Sequence, residues 1–158
     1  MDYSKNLIAP FEITLKYHGT GMPLTIDAIL NNLHLHYGPI TEDLTITGSL
    51  HFNATTPFFL QISLRDKTYA HTNLEQNTDH YVEITKIRFM DYDIMDHIHE
   101  SVYYAHKDCE KPNASNMDVI YGSNILGQNG TLQLGTSMDP FFTWYHKVSH
   151  QGTLYELT

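Results

Sequence analysis

The stretch Phe11-Glu-Ile-Thr-Leu-Lys-Tyr-His-Gly-Thr-Gly-Met-Pro-Leu-Thr-Ile-Asp-Ala-Ile-Leu-Asn-Asn-Leu-His-Leu, residues 11–35, decides how the rest of the chain is read. Phe11, Ile13, Leu15 and Tyr17 alternate with polar residues, the period of a half-buried strand. Gly19-Thr20-Gly21 breaks the alternation. Beyond it Ile26, Ile29, Leu30 and Leu33 fall at i, i+3, i+4 and i+7, the apolar stripe of an amphipathic helix. Thr25 stands where an N-cap acceptor is wanted, and Asp27 lies in the positive first turn. The stretch predicts strand, glycine loop, helix.

Working outward, Gly38-Pro39 stops that helix. Leu44, Ile46, Leu50 and Phe52 alternate with polar residues, and Gly48 keeps the apolar phase as a bulge or a point of close approach. After Pro57, Phe58, Leu60, Ile62 and Leu64 resume the pattern, so the two strands predict a hairpin. Residues 65–80 carry no period and read as a loop. Tyr81 to Phe89 is a strand whose apolar face changes midway, which calls for a bulge near Thr85 and Lys86. Ile94, Met95, Ile98 and Val102, preceded by Asp93 as N-cap, predict a second helix within 91–106. A polar loop over 107–116 follows. Val119–Leu126, Thr131–Leu134 and Phe141–Val148 then read as strands, with Gly127-Gln-Asn-Gly130 turning between the first two. This order predicts a single α+β domain over 1–158: a ferredoxin-like or RRM-like plait, an antiparallel sheet with two main helices on one face.

Composition narrows the function. A chain of 158 residues, 41% hydrophobic and only 17% charged, buries one core without staples. Its formal charge of −9 speaks against a free-standing, non-specific binder of nucleic-acid phosphates, although eleven histidines begin to charge near pH 6. The lone Cys109 excludes an internal disulfide or a CxxC knuckle and favours a cytoplasmic setting. Met1-Asp-Tyr-Ser-Lys-Asn lacks an apolar leader segment and no 18-residue apolar run occurs, so a soluble chain without a membrane partner is expected.

Two segments carry a family resemblance. Met22-Pro-Leu-Thr-Ile-Asp-Ala-Ile-Leu resembles the signature at the first helix of RAMP-superfamily CRISPR subunits, and is most similar to the type IV subunit that caps the 5′ handle of the guide RNA. Phe141-Phe-Thr-Trp-Tyr-His-Lys-Val-Ser-His-Gln-Gly resembles the Trp-Tyr region late in the same family. The resemblance implies a component of a CRISPR effector complex whose partners are guide RNA and neighbouring subunits. The chain departs from the pattern by ending without the basic glycine-rich loop that helps hold RNA, and by its acidity. A shortened subunit and a phage- or plasmid-encoded inhibitor that mimics one are both compatible with those departures.

The residues add their own candidates. Gly19 and Gly21 before a helix could cradle a phosphate with Lys16 and His18; the plainer reading is a tight connection. Lys86 and Arg88 share a strand with Tyr81 and Phe89, as on RNA-binding sheets. Asp91, Asp93, Asp96 and Glu100 make an acidic stretch suited to a basic protein groove, or simply a solvated face. Trp144 and Tyr145 could anchor a protein interface. His97 and His99 point apart on a helix, so a metal would have to use Asp93 with His97, or Asp96 with Glu100, plus His51 or His106. That leaves a His/Asp metallohydrolase as a remote reading. Cys109 lacks an orienting group for nucleophilic chemistry. Taken together, the sequence predicts a non-enzymatic RNA- or ribonucleoprotein-binding protein without a cofactor or an evident small-molecule substrate, and an acidic protein-binding module as the alternative.

Overall fold

Leu24, Ile26, Ala28 and Leu30 are fully buried while Thr25, Asp27 and Ile29 are half-buried, so the segment expected to be a helix is a strand, β2 (Leu24–Leu30). The computed structural model of the chain describes residues 6–73, 75–76, 78–106 and 119–149; Cys109 and the loop expected over 107–116 lie outside them. At the end of β2 Asn31 adopts φ 56° and turns the chain straight back into β3 (Leu33–Ile40). The Asn31-Asn32 turn is the tight connection favoured where the first central residue tolerates positive φ. Asn31 also ties the turn to the neighbouring strand: its Nδ2 donates to Pro57 O (3.0 Å) and its Oδ1 accepts from Phe59 N (2.9 Å). Thr25 caps nothing and instead donates to Asp66 Oδ2 at 2.6 Å.

The chain is therefore a β-sandwich and not an α+β plait. One sheet has the order β12 (Ile125–Leu126), β8 (Tyr81–Phe89), β1 (Leu7–His18), β4 (Leu44–Phe52), with β9 (Tyr92–Asp93) also paired to β8. The other runs β11 (Val119–Tyr121), β10 (Val102–Ala105), β13 (Gly130–Pro140), β5 (Pro57–Arg65), β2, β3. Every pairing within the two sheets is antiparallel. The strands expected to form a hairpin, β4 and β5, lie in different sheets, so Asn53–Thr56 carries the chain from one layer to the other. The turn at 127–130 crosses between sheets in the same way.

Burial explains the layers. Ile13, Leu15, Ile84, Ile87 and Phe89 from one sheet face Ile26, Leu60, Ile62, Leu132 and Leu134 from the other. At roughly 25 cal/mol per Å² of apolar surface, interdigitation of two such faces is the main stabilising contribution. Thr85 is left unpaired where Lys86 opposes Thr14 and Ile84 opposes Leu15, which accounts for the change of face in β8. Gly48 is a close approach, since a Cβ there would lie 2.7 Å from the Phe11 ring.

Helical structure is where the sequence expects a strand. Phe141, Trp144 and Val148 are the buried residues of α1 (Phe141–Ser149), at i, i+3 and i+7, and the Phe141 ring packs edge-on against Phe52, Phe58 and Phe89. The expected second helix is a 3-10 turn over Ile94–Glu100, kinked at His97, followed at once by β10. Asp93 does cap it, accepting from Met95 N at 3.0 Å. Between β5 and β8 a small two-stranded excursion pairs β6 (Thr72–Asn73) with β7 (Thr78–Asp79). Its anchor is Lys67, fully buried, whose Nζ meets Asp79 Oδ1 (2.8 Å) and Gly127 O (2.6 Å).

Candidate functional site

The outer face of the six-stranded sheet collects the polar parity of its strands. Register places Tyr37, Asp27, Ser63, Thr131 and Tyr104 in one row across β3, β2, β5, β13 and β10, and Val119 of β11 ends it. The adjacent row reads His34, Ile29, Gln61, Gln133, Val102, Tyr121. Directly opposed residues of antiparallel strands stand about 5 Å apart on one face, so each row is a continuous line of side chains.

Tyrosines mark both flanks. Tyr37 is 66% exposed on β3, while Tyr104 and Tyr121 are 44% and 74% exposed at the other side. Their rings face water, whereas Tyr103, next in sequence and of opposite parity, is buried with its hydroxyl donating to Gln128 O. Burial pushes the Tyr103 phenol well above its ordinary range.

Between the flanks the face is polar and partly organised. Asp27 lies between two exposed side chains, with Oδ1 2.8 Å from His34 Nε2 and Oδ2 3.7 Å from an Arg65 nitrogen. The Oδ1 contact is close but poorly aligned, and that oxygen has no hydrogen bond. His34 in turn meets the Tyr37 ring edge-on at 6.4 Å. Ser63 and Thr131 hydroxyls bond at 2.8 Å, and Thr131 continues to His106 Nε2 at 3.1 Å. Gln61 and Gln133 oppose each other in the centre, half-buried, and their amides make no hydrogen bond to other described residues. Two adjacent primary amides with unused donors and acceptors can hold hydroxyl groups of a ligand in both senses.

No protein-family model matches the chain, and no curated protein matches it. Among solved structures it is similar to a carbohydrate-binding module, vCBM60 in complex with galactobiose, with 13% identity and a TM-score of 0.44 over 80% of this chain and 97% of that one. The likeness is distant.

These findings correct the sequence reading of function. The RAMP-like signature, Met22 to Leu30, lies mostly on β2 and not at a helix N-terminus, and two antiparallel sheets stand where a guide-RNA-capping subunit needs a plait. The CRISPR subunit and inhibitor readings, with guide RNA and effector subunits as partners, fall with the plait. In the glycine loop two of the N–H groups that a phosphate cradle would use are spent internally. Thr20 N donates to His80 Nε2 (3.1 Å) and Gly21 N to Tyr17 Oη (3.1 Å). A Cβ on Gly19 would meet the His80 ring at 2.4 Å, so that glycine serves packing, and Gly21 serves the turn at φ 99°. His18 stacks on Tyr81 and bonds Glu83 Oε1 at 2.9 Å, while Lys16 stands exposed opposite Glu83. Lys86 pairs with Glu12 at 2.9 Å, and Arg88 lies on the same outer face, opposite Glu12 and Asp93. All six RNA candidates thus belong to the smaller sheet or its end loop, each basic one beside an acid.

The acidic stretch runs along the 3-10 turn: Asp91, Asp93 and Asp96 are exposed, and Glu100 sits 3.5 Å from His99 Nε2. Trp144 is core, stacked on Phe58 at 6.0 Å, and Tyr145 packs half-buried on Tyr92 and His97. His97 Nε2 lies 3.2 Å from Ser149 Oγ, but its Nδ1 has no partner to orient the ring for catalysis. Among the described residues no three His, Cys, Asp or Glu are placed to hold a metal, so the metallohydrolase reading has no ligand set there. No helix of the described residues is long and apolar enough to cross a membrane.

The sequence reading passed over Asp27, His34, Tyr37, Gln61, Tyr104 and Gln133. The signal was present: Gln61, Ser63 and Arg65 are the polar parity of a strand already recognised by Leu60, Ile62 and Leu64.

Proposed function

We propose that this chain is a non-catalytic binding module whose ligand is an uncharged glycan lying on the outer face of the six-stranded sheet. The observation that carries the reading is the central pair of unengaged amides, Gln61 and Gln133, set between exposed tyrosines on both flanks. The C–H face of a sugar ring packs on an aromatic face, while its hydroxyls need donors and acceptors together. Charge selects against acidic polymers. The chain carries −9 overall, and the face itself balances Asp27 against Arg65. A glycoside hydrolase needs two carboxyl groups flanking the bond it breaks. Asp27 is the single carboxylate of the two rows and is engaged by His34 and Arg65, which favours binding over cleavage.

The test is a neutral-glycan array followed by calorimetry on the glycans retained. Wild type is expected to bind a neutral polysaccharide, and the Q61A/Q133A double variant to lose binding about 30-fold or more while melting within a few degrees of wild type. An array without a neutral glycan bound, or a double variant of wild-type affinity, would overturn the reading.

A further inference from the structure

We infer that the glycan is an extended chain running across the strands, with Tyr37 and Tyr104 as separate platforms for its two ends. This rests on the binding reading above and goes beyond it by fixing the ligand's direction and length. The two tyrosines occupy one row of the pairing register, on β3 and β10, with β2, β5 and β13 between them. Four strand spacings separate them by about 19 Å. A mono- or disaccharide therefore meets one platform at a time. A chain long enough to reach both gains the second contact as an intramolecular event, at high effective concentration. Direction follows from the same register. The polar floor of Asp27, Ser63 and Thr131 lies in the line joining the two rings, perpendicular to the strands. The two ends are not equivalent. The Tyr37 ring meets His34 edge-on, with Asp27 2.8 Å from His34 Nε2, so the two platforms have different surroundings.

The experiment is calorimetric titration of wild type, Tyr37→Ala and Tyr104→Ala with xylo-, cello-, manno- and β-galacto-oligosaccharide ladders from disaccharide to octasaccharide. In the series that binds, Kd is expected to fall steeply with length until the chain spans both rings, by about 100-fold, and then to level off. Each alanine variant is expected to lose most of that dependence, weakening the longest ligand about tenfold or more and the disaccharide at most about twofold. Both tyrosines are exposed, and thermal melting of each variant checks that the fold is intact. Length-independent affinity, or full length dependence retained in either variant, would overturn the proposal while leaving glycan binding in place. Wild type that binds no ladder and no neutral polysaccharide would overturn both.

Discussion

Replacing Asn31 separates the β2–β3 hairpin from the helix that the same residues suggest. Asn31 sits at φ 56°, donates to Pro57 O and accepts from Phe59 N at 3.0 and 2.9 Å. Alanine removes two half-buried hydrogen bonds, at about 1 kcal/mol each, and keeps a Cβ in a left-handed conformation that asparagine tolerates better, at about 1 kcal/mol more. The expected loss is about 3 kcal/mol. Glycine removes the same two bonds and relieves the backbone, so its expected loss is about 2 kcal/mol. The main-chain bond from Asn31 N to Phe59 O is common to both. For a domain of this size, 1 kcal/mol corresponds to roughly 2–4 °C, so N31A should melt about 6–12 °C below wild type, with N31G between them. Urea unfolding monitored by Trp144 fluorescence should show the midpoint moving with little change in slope. A helix predicts the reverse order: there alanine stabilises relative to asparagine, and glycine costs about 1 kcal/mol relative to alanine. N31A melting at or above wild type, or N31G below N31A, would refute the hairpin argument.

Two further outcomes follow from the packing. Gly135 has φ 90°, and a Cβ there would lie 2.0 Å from Phe58 O, so Gly135→Ala should cost about 3 kcal/mol or more. Gly127→Ala, which meets only the Ile125 side chain at 3.8 Å, should stay within about 0.5 kcal/mol; equal melting temperatures for the two would contradict the sheet geometry at β13. Burial, and then the charge of His99, lower the His97 pKa below its ordinary 6.5, against the opposing pull of Asp96, Glu100 and Asp93. Below about pH 6.5 the unfolded chain takes up the proton first, so stability should fall as pH drops from there towards the lower folded value. A His97→Gln variant should lose that part of the acid slope, and an unchanged slope in melting temperature against pH would exclude His97 as its source.

How much was legible follows from which period each segment obeyed. β1, β4 and β5 each carry four or more apolar residues on one parity, and β8 carries Val82 and Ile84 on one parity and Ile87 and Phe89 on the other, so their existence was readable from alternation, down to the unpaired Thr85. The two exchanged assignments have a common cause. In 24–33 both a period of two (Leu24, Ile26, Ala28, Leu30) and a helical spacing (Ile26, Ile29, Leu30, Leu33) are present, because Ile29 is apolar yet faces outward and Leu33 is apolar yet exposed at the hairpin end. In 141–148 Phe142 and Tyr145 hide the i, i+3, i+7 stripe of Phe141, Trp144 and Val148 among other aromatics. Apolar residues on the solvent side make either period fit.

The candidate site was illegible for a different reason. Its parts come from five strands, brought together only by the order β3-β2-β5-β13-β10, and strand order is not written in any one segment. Once β5 is central in that sheet, Gln61 and Ser63 must lie mid-face, and once β3 and β10 lie to either side, Tyr37 and Tyr104 must flank them. The same parity rule that buries Leu60 and Ile62 exposes the residues between them. The ligand surface is thus the reverse side of the core pattern: a substitution that slipped β5 by one residue would put Gln61 into the core and Leu60 onto the site, losing fold and recognition together.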